Sequence, residues 1–296
     1  MGGRLPDFLI IGAMKCGTST LHEQLARRSG LYMSTPKEPN FFSDDDQYAH
    51  GLDWYCSLFE KAREDQLCGE SSTHYTKLPS HPLALERMTR HLAHPRLIYL
   101  MRDPLERIVS QYIHEWSQRD VREDFETAVR GCERYVAYSS YARQLEPYLR
   151  HYGEEAVLPV FVERLEERPD EELARICAFL RDPSREPVRW DAIRGRENVS
   201  RERLRRSALR DALLALAPIR AVKDRVPRAW RERVKANWQM RDRPHLSETL
   251  RAEIEPVLDA DLKRLGSWLG IELSCAAWRA AVRRVGPSWV AKPLPR

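Results

Sequence analysis

Residues 12–20, GAMKCGTST, combine glycine, lysine and hydroxyl side chains in a pattern that suits phosphate binding. The apolar run at 8–12 predicts a buried strand, and the spacing of apolar residues over 19–28 predicts a helix directly after the loop. Backbone N–H groups at such a junction, together with the positive end of the helix dipole, bind anions. Lys15 adds a point charge, and hydroxyl donors follow at Thr18, Ser19 and Thr20. The simpler alternative is a glycine turn with an exposed lysine.

The loop departs from the pattern of ATP- and GTP-binding loops. Those loops place lysine directly after the second glycine, whereas Gly17 is followed by Thr18 and Lys15 comes two residues earlier. They also use an acidic residue at the end of a later strand to hold magnesium. Here the apolar strand predicted at 96–104 ends in Arg102. The pattern favours a second phosphate that is held directly by a cation, without magnesium.

The stretch MRDPLERIVSQY, residues 101–112, contains a second pair of candidate phosphate ligands. Arg102 offers a guanidinium that can hold a phosphate through two hydrogen bonds. Ser110 follows about two helical turns later, so its hydroxyl reaches the same ligand only if that ligand lies along the helix. Considered alone, the two residues would be a salt bridge and a packed hydroxyl. Together with the loop, they favour a second phosphate site.

Strands alternate with helices along the first two thirds of the chain, which predicts an α/β fold with a P-loop-type parallel β-sheet flanked by helices on both faces. The sequence predicts strands at 8–12, 96–104 and 156–165, and helices at 19–28, from 104 onward, at 138–151 and at 170–181. Residues 31–42 are expected to form a loop because Pro36 and Pro39 punctuate them. A helical C-terminal region follows, with an amphipathic helix from Ser247 onward.

The composition bounds the class of protein. The chain has 296 residues, 42% of them hydrophobic, which is enough for one large core. A net charge of +5 suits a small anionic ligand better than nucleic acid. No apolar run approaches the roughly 18–20 residues of a membrane span, and no signal peptide is visible. We therefore expect a cytoplasmic protein with reduced thiols, and the Ala- and Arg-rich composition is typical of a bacterial source. The absence of a CxxC pair argues against a zinc site.

The two phosphate motifs resemble those of the sulfotransferases that use 3′-phosphoadenosine 5′-phosphosulfate (PAPS). The family's 5′-phosphosulfate loop resembles GAMKCGTST, and its 3′-phosphate motif resembles RDPLERIVSQY. The segments KEPNFF (37–42), GLDWYCSLF (51–59) and GESSTHYTK (69–77) are similar to the heparan sulfate and carbohydrate sulfotransferase branch and its bacterial relatives. The resemblance covers roughly residues 7–200. It implies one domain over 1–296, with a PAPS-binding α/β core at 1–195, a basic loop and helical part at 196–284, and a tail at 285–296.

The resemblance also implies roles for the residues of both motifs. Lys15 would neutralise the charge that grows on the bridging oxygen of the departing 5′-phosphate. Arg102 and Ser110 would hold the 3′-phosphate. The 5′-phosphate would be bound by the loop and the start of its helix, Cys16, Gly17, Thr18, Ser19 and Thr20. PAPS is then the sulfuryl donor, 3′,5′-adenosine bisphosphate (PAP) is the product, and no metal is expected because a sulfuryl group carries less charge than a phosphoryl group.

An acceptor hydroxyl must lose a proton during such a transfer, and two residues are candidates for the base. Glu38 matches the position of the catalytic glutamate in the heparan sulfate branch. Its proline and phenylalanine neighbours could desolvate it and raise its pKa, although Lys37 would oppose that effect. His74 is the rival, because other branches use histidine. The alternatives without a catalytic role are a surface glutamate paired with Lys37 and a histidine that only supports the structure.

The arginine-rich stretch at 194–210 is a solvated charged face by default. In the family, a basic loop late in the chain closes over the cofactor's 3′-phosphate and adenine. By this resemblance we assign Arg196, Ser200 and Arg205 to the cofactor.

The resemblance implies an enzyme that transfers a sulfuryl group from PAPS to a hydroxyl or amine of a carbohydrate, glycolipid or secondary metabolite. Two alternatives stay open, an ATP-dependent small-molecule kinase with a variant loop and a non-catalytic nucleotide-binding protein. A kinase would need a lysine directly after Gly17 and an acidic residue that binds magnesium, and the sequence has neither at the expected positions. The presence of Lys15 and Glu38 argues against a non-catalytic protein.

Overall fold

A five-stranded, wholly parallel sheet forms the centre of the protein. The computed structural model describes residues 3–191, 240, 242–284 and 286–290. The strands stand in the order β2-β3-β1-β4-β5. Their bounds are β1 Phe8–Gly12, β2 Leu31–Met33, β3 Leu67–Ser71, β4 Arg96–Met101 and β5 Val157–Phe161. The predicted α/β fold with a parallel sheet is confirmed.

The apolar runs of the sequence lie in the middle of this sheet. Every residue of β1 is buried, and Leu97–Met101 of β4 is fully buried as well. Ile10 lies opposite Ser71 on one side and Ile98 on the other. A strand with helices over both of its faces has no solvent side, which is why β1 and β4 are continuous apolar runs rather than alternating ones.

Helices connect and flank the strands. The first eight are α1 Thr18–Leu25, α2 Asp45–Tyr48, α3 Gly51–Ser57, α4 Ala84–His91, α5 Pro104–Gln118, α6 Phe125–Gly131, α7 Arg134–Ala137 and α8 Tyr141–Tyr152. They are followed by α9 Val162–Glu167, α10 Pro169–Leu180, α11 Glu248–Leu269 and α12 Trp278–Arg284. Short 3₁₀ helices occupy Thr73–Thr76 and Glu154–Ala156. None of the helices in the described ranges is long and apolar enough to cross a membrane.

Two predicted elements differ from the structure. The strand expected at 156–165 ends at Phe161, because Val162–Glu167 turns into a helix that buries Arg164. Arg164 Nε donates to Glu172 at 2.7 Å, a contact across α9 and α10 that an extended chain would not make. The loop expected at 31–42 begins with the short strand β2. Three residues at a sheet edge are too few for their periodicity to show in the sequence.

The C-terminal region packs back onto the sheet core. The predicted helix from Ser247 onward is confirmed, and the Ser247 hydroxyl caps it by accepting from Leu250 N–H at 3.2 Å. The Asp261 carboxylate of this helix accepts from the backbone N–H groups of Ala142 and Arg143 at 2.8 and 2.9 Å. It therefore holds α11 against the first turn of α8.

Candidate functional site

The loops that follow β1, β2, β3 and β4 meet at one edge of the sheet. Parallel strands all end at the same edge, and ligands of such sheets bind there. Two hydrogen bonds join the loops directly. Arg102 after β4 donates from Nη1 to the carbonyl oxygen of Lys15 after β1, at 3.3 Å. Glu38 after β2 donates its N–H to the carbonyl of Ser71 at the end of β3, at 2.9 Å. These bonds join the loops in two pairs, β1 with β4 and β2 with β3, at the same edge of the sheet.

The backbone of the loop after β1 is held in a conformation that its sequence explains only in part. Gly12 and Gly17 have φ angles of 149° and 77°, in the region that favours glycine. A side chain at Gly12 would also collide with the Thr76 hydroxyl, which lies 2.0 Å from where a Cβ would stand. The backbone of Lys15 is also in the left-handed conformation, with φ 68°, although a residue with a Cβ disfavours it. That conformation costs roughly 1–2 kcal/mol, and such strain clusters at functional sites.

The start of α1 is arranged for an anion. Gly17 is the N-cap and offers no side chain, and the first turn of the helix contains no acidic residue. The first N–H groups of a helix have no partner within the helix, so a ligand can take them. Thr18 is buried, while Ser19 and Thr20 are half-buried. Contact of these hydroxyls with a phosphate stays a prediction.

Cys16 lies beneath the loop. Its N–H donates to the Ala13 carbonyl at 3.2 Å, and its buried thiol faces the Tyr141 hydroxyl at 3.9 Å. Burial raises the pKa of this thiol to about 11, so it stays protonated at neutral pH. Cys16 therefore supports the loop from below, and neither its thiol nor its N–H is directed to a phosphate in this conformation.

Arg102 is fixed at both its backbone and its side chain. The Tyr141 hydroxyl donates to the Arg102 carbonyl at 2.7 Å, and the guanidinium lies 3.8 Å from the Glu106 carboxylate. Asp103 ends the turn by capping α5, accepting from the N–H groups of Leu105 and Glu106 at 3.0 and 3.2 Å. Together these contacts aim the Arg102 guanidinium at the loop.

Ser110 lies on α5, eight residues after Arg102, and only 2% of it is exposed. The three residues predicted to lie in a basic loop, Arg196, Ser200 and Arg205, fall outside the described residues.

The structure places two arginines near Arg102 that the sequence did not indicate as site residues. Arg243 and Arg279 both pair with Glu106, Arg279 at 3.7 Å, so that three guanidinium groups surround one carboxylate. Arg279 also lies 3.5 Å from Asp103. Arg243 is 137 positions from Glu106, and the surrounding sequence gives no signal of this proximity. The cluster thus places two further guanidinium groups beside Arg102, where the sequence predicts the second phosphate site.

Glu38 is ionised more readily than the sequence suggested. Burial does raise its pKa, but the charges of Lys37, Lys77 and His74 outweigh burial and hold the pKa below its ordinary value. The Lys37 ammonium is 2.6 Å from the Glu38 carboxylate. Desolvation therefore acts in the expected direction, but the opposing effects of Lys37 and the other nearby groups are together larger and the net shift is downward.

Glu38 also lies close to the phosphate loop. Burial, followed by the charge of Lys37, lowers the pKa of His22 to about 4, and Glu38 opposes that shift. His22 is on α1, the helix that the phosphate loop begins, so the Lys37–Glu38 pair lies beside that helix. Like Lys15, Glu38 is left-handed, at φ 58°.

Lys77 is a third residue near the site that the sequence did not indicate. It is 8% exposed, and burial lowers its pKa to about 8 while the Glu38 carboxylate opposes the shift. A lysine with a pKa near neutrality can lose its proton in the working range, which makes it a candidate participant in proton transfer. The only signal in the sequence was its position at the end of the GESSTHYTK segment.

His74 is held by an acidic partner. Its Nδ1 lies 2.8 Å from Asp44 Oδ1, and its ring stacks on His81 with 4.3 Å between centroids. Burial and then the charge of Lys77 lower the pKa of His74, although Asp44 acts in the opposite direction. The lowered pKa favours the neutral imidazole of His74 at pH 7, and His74 lowers the pKa of Glu38 only in its protonated form.

Comparisons with known proteins give a consistent result. The family model described as "Sulfotransferase domain" matches residues 5–208. The heparan sulfate glucosamine 3-O-sulfotransferase 3A1 of Mus musculus is 32% identical over 186 residues, which cover 60% of this chain and 46% of that protein. The membrane-associated sulfotransferase kil1 of Dictyostelium discoideum is 31% identical over 162 residues, covering 48% of this chain and 33% of the other.

Among solved structures, a sulfotransferase from Alicyclobacillus acidocaldarius has the same fold. It superposes with a TM-score of 0.65 at 22% identity, covering 93% of this chain and 99% of the other. By contrast, this chain spans about half the length, or less, of the curated relatives that it matches.

Proposed function

The chain belongs to the sulfotransferase family, and we propose that it transfers a sulfuryl group from PAPS to an acceptor hydroxyl or amine. The observation that carries this proposal is the bond between Arg102 and the carbonyl of Lys15, at 3.3 Å. It joins the loop suited to a 5′-phosphate to the arginine suited to a 3′-phosphate. A nucleotide with phosphates on both its 5′ and 3′ positions matches such a pair of adjacent anion sites.

In this proposal the sulfuryl group moves in line from one oxygen to another. The acceptor oxygen attacks sulfur, the bond between sulfur and the bridging oxygen breaks, and PAP leaves with the electron pair. Negative charge grows on that bridging oxygen, and Lys15 stabilises it more in the transition state than in the ground state. The N–H groups at the start of α1 and the hydroxyls of Thr18, Ser19 and Thr20 hold the 5′-phosphate.

Glu38 is the base that takes the proton from the acceptor, because its carboxylate is ionised and lies beside the helix that follows the phosphate loop. His74 is the rival base. Replacing each by glutamine, as Glu38→Gln and His74→Gln, separates the two, since a positioned base contributes about 10²–10⁴-fold to the rate. We expect the larger loss of kcat for Glu38→Gln. Near-full turnover by that variant would transfer the role to His74.

The acceptor is proposed to be a carbohydrate, a glycolipid or a secondary-metabolite alcohol. The names of the relatives support a sugar, because heparan sulfate glucosamine is a carbohydrate acceptor. Lys37 and Lys77 lie beside the proposed base and would contact a polar or anionic acceptor. Incubation with sulfur-labelled PAPS and a cell extract, followed by identification of the labelled product, would reveal the acceptor. A cytoplasmic location stays our expectation from the sequence, and cell fractionation would test it.

Calorimetric titration tests the proposal against its alternatives. We expect PAP to bind in the presence of a chelator, because cationic side chains and backbone N–H groups hold both phosphates. Binding of ATP only when magnesium is added would instead support a kinase. Binding of neither nucleotide would overturn both enzymatic interpretations.

A further inference from the structure

We propose that Asp44, His74 and His81 form a binding site for one divalent transition-metal ion, with zinc as the best match. One carboxylate and two imidazoles are ligands that zinc accepts readily. The site adjoins the proposed acceptor side of the reaction centre and is separate from the phosphate-binding residues. It is a property of these three side chains and does not depend on the identity of the sulfuryl donor.

The three donor atoms already converge. Asp44 Oδ1 is 2.8 Å from His74 Nδ1 and 3.4 Å from His81 Nδ1. One candidate ligand atom from each residue lies within 4.8 Å of the other two. In a tetrahedral zinc site with bonds of about 2.0–2.1 Å, ligand atoms are about 3.3 Å apart. The two rings are stacked, with 23° between their planes, so one imidazole must also turn before both Nδ1 lone pairs point at the same ion.

Asp44 is directed to the histidines although its backbone position offers it another role. It is the N-cap residue of α2, where an aspartate normally accepts a backbone N–H of the first turn. Its side chain makes no such bond. The carboxylate accepts from the Ser43 hydroxyl at 3.0 Å and otherwise faces the two imidazoles. A hydroxyl bonded to a ligating carboxylate is the kind of support that orients metal ligands.

The Nδ1 atoms of His74 and His81 both face Asp44 Oδ1, and His81 Nδ1 also lies 3.4 Å from the Ser43 carbonyl oxygen. Coordination through Nδ1 requires each ring to carry its proton on Nε2, a change of tautomer without a change of charge. Lys77 adds a repulsive charge near the site, but the Asp44 and Glu38 carboxylates compensate for it.

The site is open on one side. The side chains of Asp44, His74 and His81 are 30%, 25% and 22% exposed, so three protein ligands would leave a coordination position accessible. Zinc sites with three protein ligands hold water or a substrate atom in the fourth position. The ion would thus present an open position beside the residues that face the acceptor.

Metal titration of the full chain tests this directly. After removal of metal by a chelator, Zn²⁺ is titrated calorimetrically, and Co²⁺ is titrated while its visible absorption is recorded. We expect one ion per chain and a Co²⁺ spectrum typical of four-coordination. His81→Ala and Asp44→Asn should each weaken binding by about 100-fold or more, because each removes a ligand. The matched control is His94→Ala, which removes an exposed histidine outside the site.

Thermal unfolding supplies a second measurement that does not depend on catalysis. A ligand that binds only the folded protein raises the unfolding temperature with its concentration. Zn²⁺ should therefore stabilise the unaltered chain and His94→Ala, and not His81→Ala. Equal zinc affinity in all of these variants, or no stoichiometric binding by the unaltered chain, would overturn the metal site. Neither result would bear on PAP binding, which is measured with chelator present.

Discussion

Replacing Lys37 by methionine should shift the acidic limb of the pH–rate profile to higher pH. Glu38 must be ionised to accept a proton, and Lys37 is the first of the charges that lower its pKa. The Lys37→Met variant keeps the length of the side chain and removes the ammonium that lies 2.6 Å from the carboxylate. The pKa of Glu38 then rises, so the carboxylate becomes protonated, and activity is lost, at a higher pH than before.

The magnitude of the shift follows from the exposure of the pair. The Lys37 side chain is 23% exposed and that of Glu38 is 35% exposed, so solvent screens their attraction. With the dielectric constant of water, two charges at this separation interact by about 1.6 kcal/mol. Since about 1.4 kcal/mol corresponds to one pKa unit, we expect a shift of about one pH unit at low salt. Higher ionic strength should reduce it.

The assay is kcat/KM for the acceptor measured over pH 4 to 9, because this ratio reports groups of the free enzyme. Lys61→Met is the matched control, since it removes the same charge from an exposed position outside the site. An acidic limb that stays at its original pH in Lys37→Met would refute Glu38 as the base. A shift of the same size in Lys61→Met would instead show a general effect of net charge.

Further predictions concern the phosphate loop and the fold. Lys15→Ala should lower kcat by about 10²–10³-fold while PAP affinity, measured by calorimetry, falls less than about tenfold, because the charge acts mainly in the transition state; equal losses in both would contradict this role. Arg28→Met should lower the free energy of unfolding by about 3–5 kcal/mol, since it breaks a buried ion pair with Asp182 at 2.8 Å. The control Arg150→Met breaks an exposed pair with Glu146 and should lower it by less than about 1 kcal/mol. Burial raises the pKa of Asp182, but hydrogen bonds from Ser184 and Arg28 hold it below its ordinary value. The stability difference should therefore be complete at neutral pH and shrink in acid as Asp182 is protonated, and a pH-independent difference in urea unfolding would exclude this pair as its source.

The sequence by itself determined the parts of the site that are local in the chain. The strand at 8–12, the two glycines after it and the start of α1 follow one another directly, so their spacing predicts an anion site before any fold is known. The same holds for Arg102, which ends an apolar strand, and for Asp103, which caps the helix after it. These features depend on backbone preferences and capping that act over a few residues.

Contacts between distant segments were decided only by the tertiary structure. Arg243 and Arg279 reach Glu106 because the C-terminal helices fold back on the sheet, and nothing near them in sequence indicates that partner. Strand β3 also escaped prediction, although its carboxyl end leads to His74 and Lys77. Its residues, LCGES, lack the apolar run that marks β1 in the sequence, and its place beside β1 depends on pairing across the sheet.

The protonation states of the site residues likewise depend on the tertiary structure. The sequence shows Glu38 between prolines and phenylalanines, which suggests desolvation, and beside Lys37, which opposes a raised pKa. The structure decides the net direction, because Lys37 pairs with the carboxylate at 2.6 Å and Lys77 and His74 add to its effect. It also brings Asp44 to His74 and His81 across about thirty residues of chain. Residue types and spacing thus determined which chemistry the chain could support. The tertiary structure decided the protonation states, because a pKa depends on burial and on charges within a few ångströms, whichever part of the chain supplies them.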